Sequence, residues 1–221
     1  MKTPKVTVIV AAYNAEKYIG RCLRSLLHQT ISQEEYEVIV VNDGSTDKTN
    51  YALELFSDPT NSTIKILNNE KNKGLPSALN NGIEAATSKY IVRVDSDDFV
   101  NKNFINFLLF YLENNPDADA VACDYFLVND DEFVVDRVDC QSSPIACGIM
   151  FQKDHLVDIG LYDEEFLCHE ERELRIRFEK KYKLHHLNIP LYRYRRHNHN
   201  MTNDQRLMKV YQDNLNAKHG Q

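Results

Sequence analysis

Over the first hundred residues, short apolar runs of strand length alternate with segments of helical period. Val6-Thr7-Val8-Ile9-Val10-Ala11-Ala12 reads as a buried strand. Tyr18, Ile19, Cys22, Leu23, Leu26 and Leu27 then recur at helical spacing, which predicts an amphipathic helix over residues 15–29 with Asn14 as its N-cap. A second buried strand is expected at 36–41, broken by Asn42-Asp43-Gly44-Ser45-Thr46-Asp47, with Thr46 or Asp47 capping a helix at 48–56. A loop around Pro59, a strand at 64–67, a break at Gly74, a helix through Ala78, Leu79, Ile83 and Ala86, and a strand at 90–94 complete this half. Strands alternating with helices predict an α/β fold with a mostly parallel sheet and helices on both faces.

The pattern then changes. A helix is expected at 101–113, two strands at 120–126 and 132–138 around Asn129-Asp130-Asp131, and a strand at 145–151. A short helix near Lys153, a loop at 160–166 and a helix at 170–182 with Leu174, Phe178 and Tyr182 inward come next. Short strands at 184–187 and 191–194 flank Pro190, and a polar helix closes the chain at 204–216. Without a repeat or low-complexity linker, a single domain over 1–221 is expected. Its parts are a first half at 1–100, a second at 101–202 and a C-terminal helix at 203–221.

The stretch that organises these elements is Asp95-Ser96-Asp97-Asp98, directly after the strand ending at Val94. Three carboxylates in four residues resist ionising together unless something positive joins them. In an extended or tightly turned chain, residues i and i+2 point the same way, so Asp95 and Asp97 can converge. A divalent cation carrying a polyphosphate suits such a pair: Mg2+ or Mn2+ commonly takes one or two carboxylates and leaves its other positions to phosphate and water. The residues alone leave a second reading open, an acidic turn that solvates a strand end and caps the next helix. Tyr13, Asp43 and Asp95 each lie just past a predicted strand end, where parallel sheets bind ligands, and this favours a pocket.

Composition narrows the classes. Among 221 residues, 26 basic and 33 acidic side chains give a net charge of −7, against nucleic acid as a partner. The first residues run straight into a strand pattern, so no secretory leader is expected, and no apolar run approaches the ~18–20 residues of a membrane span. The five cysteines show no C-x-x-C spacing; they read as reduced thiols of a cytoplasmic protein, without a structural zinc site.

The succession of Val8-Ile9-Val10-Ala11-Ala12-Tyr13-Asn14, Val41 to Asp47, Gly74 to Gly82, Tyr90 to Asp98 and Glu170-Glu171-Arg172-Glu173-Leu174 resembles glycosyltransferase family 2. Each motif is weak alone; five in order, covering residues 5–202, are specific. The resemblance implies the GT-A fold, Rossmann-like with a smaller antiparallel portion on the acceptor side. It implies an inverting, metal-dependent transfer of a sugar from a nucleoside diphosphate, a UDP-sugar favoured, to a hydroxyl of a glycan or lipid-linked acceptor. Surface polysaccharide or glycan synthesis is the setting it suggests, with peripheral membrane association left open.

Residue by residue, the resemblance places Ala11, Tyr13 and Asp43 at the nucleoside and Asp95, the first residue of the DxD motif, near the ribose or the metal. Asp97 becomes the ligand of Mn2+ or Mg2+, and Asp98 caps the next helix. Arg93 is expected to turn inward and pair with an acidic neighbour. His197, in the basic run Arg193 to His199, is expected over the diphosphate or on the metal. The general base falls to Glu171, where the family carries Asp, and Asn42 likewise stands in for a family Asp. Two rival readings remain. A sugar nucleotidyltransferase would want a Gly-rich basic loop after the first strand, which Ala11-Ala12-Tyr13-Asn14 does not supply; a non-catalytic nucleotide-sugar-binding protein would differ by binding donor without turnover.

Overall fold

The computed structural model describes residues 3–57, 63–197 and 205–220. The chain runs β1 (Val6–Ala12), α1 (Ile19–Leu27), β2 (Tyr36–Asp43), α2 (Thr49–Glu54), β3 (Ile64–Asn69), α3 (Leu75–Ala85), β4 (Tyr90–Arg93) and β5 (Phe99–Val100). It continues with α4 (Phe104–Asn114), β6 (Ala120–Val128), β7 (Val134–Val138), β8 (Ile149–Gln152), α5 (Lys153–Asp158), α6 (Glu170–Glu179), β9 (Leu184–Arg195) and α7 (Gln205–His219).

Among the described residues nine strands join one sheet in the order β3-β2-β1-β4-β8-β6-β9-β5, with β7 paired to the far half of β6. β3, β2, β1 and β4 are parallel; β8 runs antiparallel to both β4 and β6, and β5 antiparallel to β9. Consecutive residues Val6 to Val10 are all buried, so both faces of β1 are covered. The mixed α/β fold read from the pattern is therefore present. A single apolar cluster extends from Val6 in the first half to Tyr192 in the second.

Several boundaries differ from the sequence reading. The first helix starts at Ile19, because Asn14 adopts φ 50° and its Oδ1 accepts the Thr46 backbone N–H at 2.8 Å rather than capping the helix. The two strands expected around Pro190 are one strand, β9, with a register shift against β6 near Asp124 that absorbs the proline. β8 begins at Ile149, later than expected, and the two-residue β5 had no signal long enough to read. The expected loop at Pro59 and the start of the last helix at Asp204 lie outside the described residues.

The α3–sheet contact depends on a glycine. A Cβ on Gly82 would lie 2.7 Å from Ile9 Cγ2 and 3.4 Å from Val41 Cγ2. Ile9 is fully buried and β-branched, so it cannot swing away. Gly82→Ala gains about 1 kcal/mol of helix propensity against about 1–3 kcal/mol for overpacking. Urea denaturation is expected to show a net loss of stability, and a gain would refute the close approach.

Candidate functional site

The parallel strands place their carboxyl ends along one edge, and the predicted residues gather there. Ala12 pairs with Asn42 in register, and Ile9 with Arg93, so Tyr13, Asp43 and Asp95 follow neighbouring strands out of the sheet. The loops after β1 and β2 are laced together. Thr49 Oγ1 accepts the Ala15 N–H at 2.7 Å, Asp47 accepts that of Glu16, and Glu16 accepts that of Lys48. Tyr13 stands on this rim 49 % exposed, and Ala11, at the end of β1, is partly buried.

Asp43 is only 3 % exposed. Its oxygens accept the N–H groups of Lys73 and Gly74 and the Asn69 amide, at 2.7–3.1 Å. The carboxylate thus shapes the loop before α3. Gly44 is obligatory beside it: φ is +68°, and a Cβ would meet the Lys71 and Asn72 backbone at 2.5 Å. Asn42 donates to Asn68 Oδ1 at 3.0 Å, which an aspartate in its place could not do.

Beyond β4 a charged network forms the floor. Arg93 is buried; its Nε donates to Asp95 Oδ1 at 2.6 Å and its Nη1 to Glu170 Oε1 at 2.9 Å. Burial pushes the Glu170 carboxyl up to about 7 against the opposing pull of Arg93, while Asp95 and Glu170 hold the guanidinium charged. The inward Arg93 is as expected, and it carries one helix start, α6, to the acidic stretch. Cys147 Sγ–H donates to the other Asp95 oxygen at 2.8 Å, and Tyr192 Oη accepts the Asp95 N–H.

Asp98 does not cap the following helix. It is buried beneath Tyr192, whose hydroxyl donates to Oδ2 at 2.7 Å, while the Arg195 N–H donates to Oδ1 at 2.7 Å. Burial and the neighbouring Asp97 and Asp95 push its carboxyl well above the usual range. The capping expectation failed because β5 intervenes before α4 starts at Phe104.

Asp97 is the more open carboxylate of the cluster's outer side. His197 Nε2 lies 2.9 Å from its Oδ2, and the His197 ring stacks on Tyr18 with centroids 4.9 Å apart. Burial first, then the charge of Asp95, raises the Asp97 carboxyl, and His197 draws it back. Arg195 is buried rather than available to a ligand: it donates to the Asp97 and Asp130 carbonyls and to Glu132. The β6–β7 turn closes over α1 through Lys17–Asp130 at 2.5 Å, Tyr18 Oη–Asp130 at 2.9 Å and Arg21–Glu132 at 2.8 Å. Asn198 and His199 of the basic run lie outside the described residues.

At α6 the three glutamates separate by face. Glu170 is spoken for by Arg93, and Glu173 is fully buried beneath Arg177 and Lys218. Glu171 is half-buried and makes no hydrogen bond or ion pair among the described residues. Sequence reasoning missed Tyr18, Cys147 and Tyr192, which belong to no motif and reach the site only through the tertiary fold.

With this arrangement in view, comparison with known proteins is decisive. The Glycosyl transferase family 2 profile matches residues 7–169. The chain belongs to that family. The match ends one residue before the Glu170-Glu171 pair. An uncharacterized glycosyltransferase of Haemophilus influenzae is 42 % identical over 118 residues, 53 % of this chain and 36 % of that protein. The poly(ribitol-phosphate) beta-N-acetylglucosaminyltransferase TarS of Staphylococcus aureus is 40 % identical over 99 residues, 44 % of this chain and 17 % of its own length. The chain thus spans about a third or less of these relatives.

Solved structures share the fold across nearly the whole chain. The TarS 1–349 complex with UDP-GlcNAc superposes with a TM-score of 0.75 at 23 % identity, covering 94 % of this chain and 65 % of that one. The Pyrobaculum calidifontis mannosyltransferase PcManGT, in complex with GDP-Man and Mn2+, gives 0.77 at 18 % identity, covering 98 % and 64 %. The architecture is GT-A. Among the described residues no helix is long and apolar enough to cross a membrane.

Proposed function

We propose that this chain transfers a sugar from a nucleoside diphosphate to an acceptor hydroxyl, by a single in-line displacement with inversion. The observation that carries the reading is the Asp95–Asp97–His197 group at the carboxyl edge of the sheet, to which Arg93 ties Glu170, the chain neighbour of the unengaged Glu171. Family membership and the sugar-nucleotide complexes of its structural relatives support it.

The residues fit a divalent cation. Asp97 is a carboxylate whose charge is opposed by burial and by Asp95, so a cation beside it relieves an existing cost. Asp97, with His197 beside it, would hold the ion, and an imidazole in the donor set suits Mn2+ better than the oxygen-seeking Mg2+. When bound, the ion neutralises charge on the diphosphate. Tyr13 offers its exposed ring to the base, with Ala11 at the same end of β1. Asp43 fixes the turn that receives base and ribose, and Arg93 fixes Asp95 toward the ribose. Glu171 takes the proton of the acceptor hydroxyl as that oxygen attacks the anomeric carbon.

Calorimetry with UDP- and GDP-sugars, with and without Mn2+, tests the reading. Divalent-dependent binding of one of them, with release of the nucleoside diphosphate on addition of acceptor, is expected. Binding without turnover under any acceptor would instead favour a non-catalytic sugar-nucleotide binder. Asp43→Ala should weaken the free nucleoside diphosphate by about 1.5–3 kcal/mol, the range for hydrogen bonds to a charged group. Unchanged affinity for the sugar-free diphosphate would remove Asp43 from the nucleoside site.

A further inference from the structure

A second cluster lies apart from the strand-end cleft. Asp124 of β6, His186 of β9 and Cys140 in the segment after β7 each offer one ligand atom, an oxygen, a nitrogen and a sulfur, all within 4.8 Å of one another. Asp124 and Cys140 are buried. The sheet itself builds the site. His186 stands opposite Ala122 in register, and Asp124, two residues on along the same face of β6, meets it diagonally, with His186 Nε2 2.7 Å from Asp124 Oδ1.

The remaining contacts fix this geometry without using it up. Arg137 Nη2 donates to Asp124 Oδ2 at 3.3 Å and to Asn188 Oδ1, so Oδ1 is the oxygen left facing the other two groups. The Cys140 N–H donates to Asp124 Oδ1 at 3.2 Å, which draws the cysteine against the carboxylate. Its thiol makes no hydrogen bond among the described residues, although it lies within 4.8 Å of the aspartate oxygen and the imidazole nitrogen. An Asp–His pair alone would have no use for a thiol there.

We propose that Asp124, Cys140 and His186 bind a borderline divalent cation, Zn2+ by donor set, at a site separate from that of the sugar nucleotide. Tetrahedral Zn2+ keeps S, N and O ligand atoms roughly 3.3–3.6 Å apart, so the three groups close on it with shifts of about an ångström. Binding releases the thiol proton to solvent and uses the neutral imidazole. A cavity of about 270 Å³, lined by Cys140, Gln141, His185 and His186 among others, supplies the entry path and a water as fourth ligand. The sulfur distinguishes this site from the Asp97–His197 pair, which suits harder ions.

The ion would fasten the segment after β7 to β6 and β9. That segment leads to Cys147, whose thiol bears on Asp95, so the clip sits behind one wall of the sugar-nucleotide pocket. No local motif announces it, because Cys140 and His186 lie 16 and 62 residues from Asp124.

Titration of the metal-stripped chain with Co2+, followed by absorption, tests the proposal. One equivalent is expected to bind with a thiolate-to-cobalt charge-transfer band in the near ultraviolet, and Zn2+ is expected to displace it. Cys140→Ser should abolish the band and weaken binding beyond the ~10–100-fold cost of losing an outer-shell partner; Asp97→Asn should leave the band intact. Absence of a thiolate band in the wild type, or its persistence in Cys140→Ser, overturns the site. Should Cys140→Ser fail to fold by circular dichroism, alkylation of the wild-type chain read by mass spectrometry decides. Zn2+ should slow modification of Cys140 by ~10-fold or more with Cys168 unaffected; equal rates at Cys140 overturn the proposal.

Discussion

Replacing Glu171 with glutamine is expected to lower kcat by ~10²–10⁴-fold, the scale of general-base catalysis, with donor affinity nearly unchanged. The three glutamates of the first turn of α6 are not equivalent. Glu170 is 5 % exposed and bound to Arg93, and Glu173 is fully buried among Arg177, Lys218 and His219. Of the three, only Glu171 keeps an unengaged carboxylate, in the first turn of α6. A base acts in the transition state, so its loss appears in turnover and not in donor binding. Turnover is read as release of the nucleoside diphosphate with and without acceptor. Glu171→Asp should retain part of the activity, limited by the shorter reach of its carboxylate. Glu170→Gln, whose amide oxygen can still accept from Arg93, should instead leave turnover close to that of wild type. A folded, inactive Glu170→Gln beside a fully active Glu171→Gln would move the base back by one residue.

What was legible in the chain follows from the range of the forces involved. The β1-α1-β2 alternation could be read because each strand is buried on both faces and each helix on one, which writes the period into neighbouring residues. Asp43, Asp95 and Asp97 could be placed together because a parallel sheet delivers its strand ends to a common edge. The role of Arg93 was foreseeable from an inward arginine beside an acidic run. Its partner Glu170, 77 residues on, was not. The cap assigned to Asp98 failed for the same reason: its partners, Tyr192 and Arg195, come from β9, nearly a hundred residues away. Asn14 misled because the same side chain serves as a helix cap or as a clasp between loops, and only the second loop decides. The Asp124–Cys140–His186 cluster was invisible to spacing rules, which detect ligands only when they share a local loop.

Asp97→Asn is expected to bind the sugar nucleotide ~10²-fold more weakly in Mn2+, and no more weakly than wild type in its absence. Stripping one partner from a buried charge pair costs about 3–5 kcal/mol, and the lower end applies because the Asp97 side chain is still 29 % exposed; that corresponds to ~10²-fold in Kd. The fold should not suffer. The amide keeps a polar atom for His197 to meet, and it removes a charge that burial and Asp95 disfavour. Because the Asp97 pKa is raised on folding, the native state binds the proton more tightly than the unfolded chain, so the ionised carboxylate lowers stability at neutral pH. Asp97→Asn should therefore melt at or above the wild-type temperature at pH 7 without metal. The gap should close as the pH falls through the raised native value and below the unfolded-state value of 3.8, where the wild-type carboxyl too is neutral in both states. Added Mn2+ and donor should reverse the order, raising the wild-type melting temperature alone. Equal Mn2+-dependent donor affinity in the two proteins would take the metal away from Asp97. A variant less stable than wild type at pH 7 and equal to it at low pH would show that Asp97 holds the fold together rather than holding charge in reserve for a ligand.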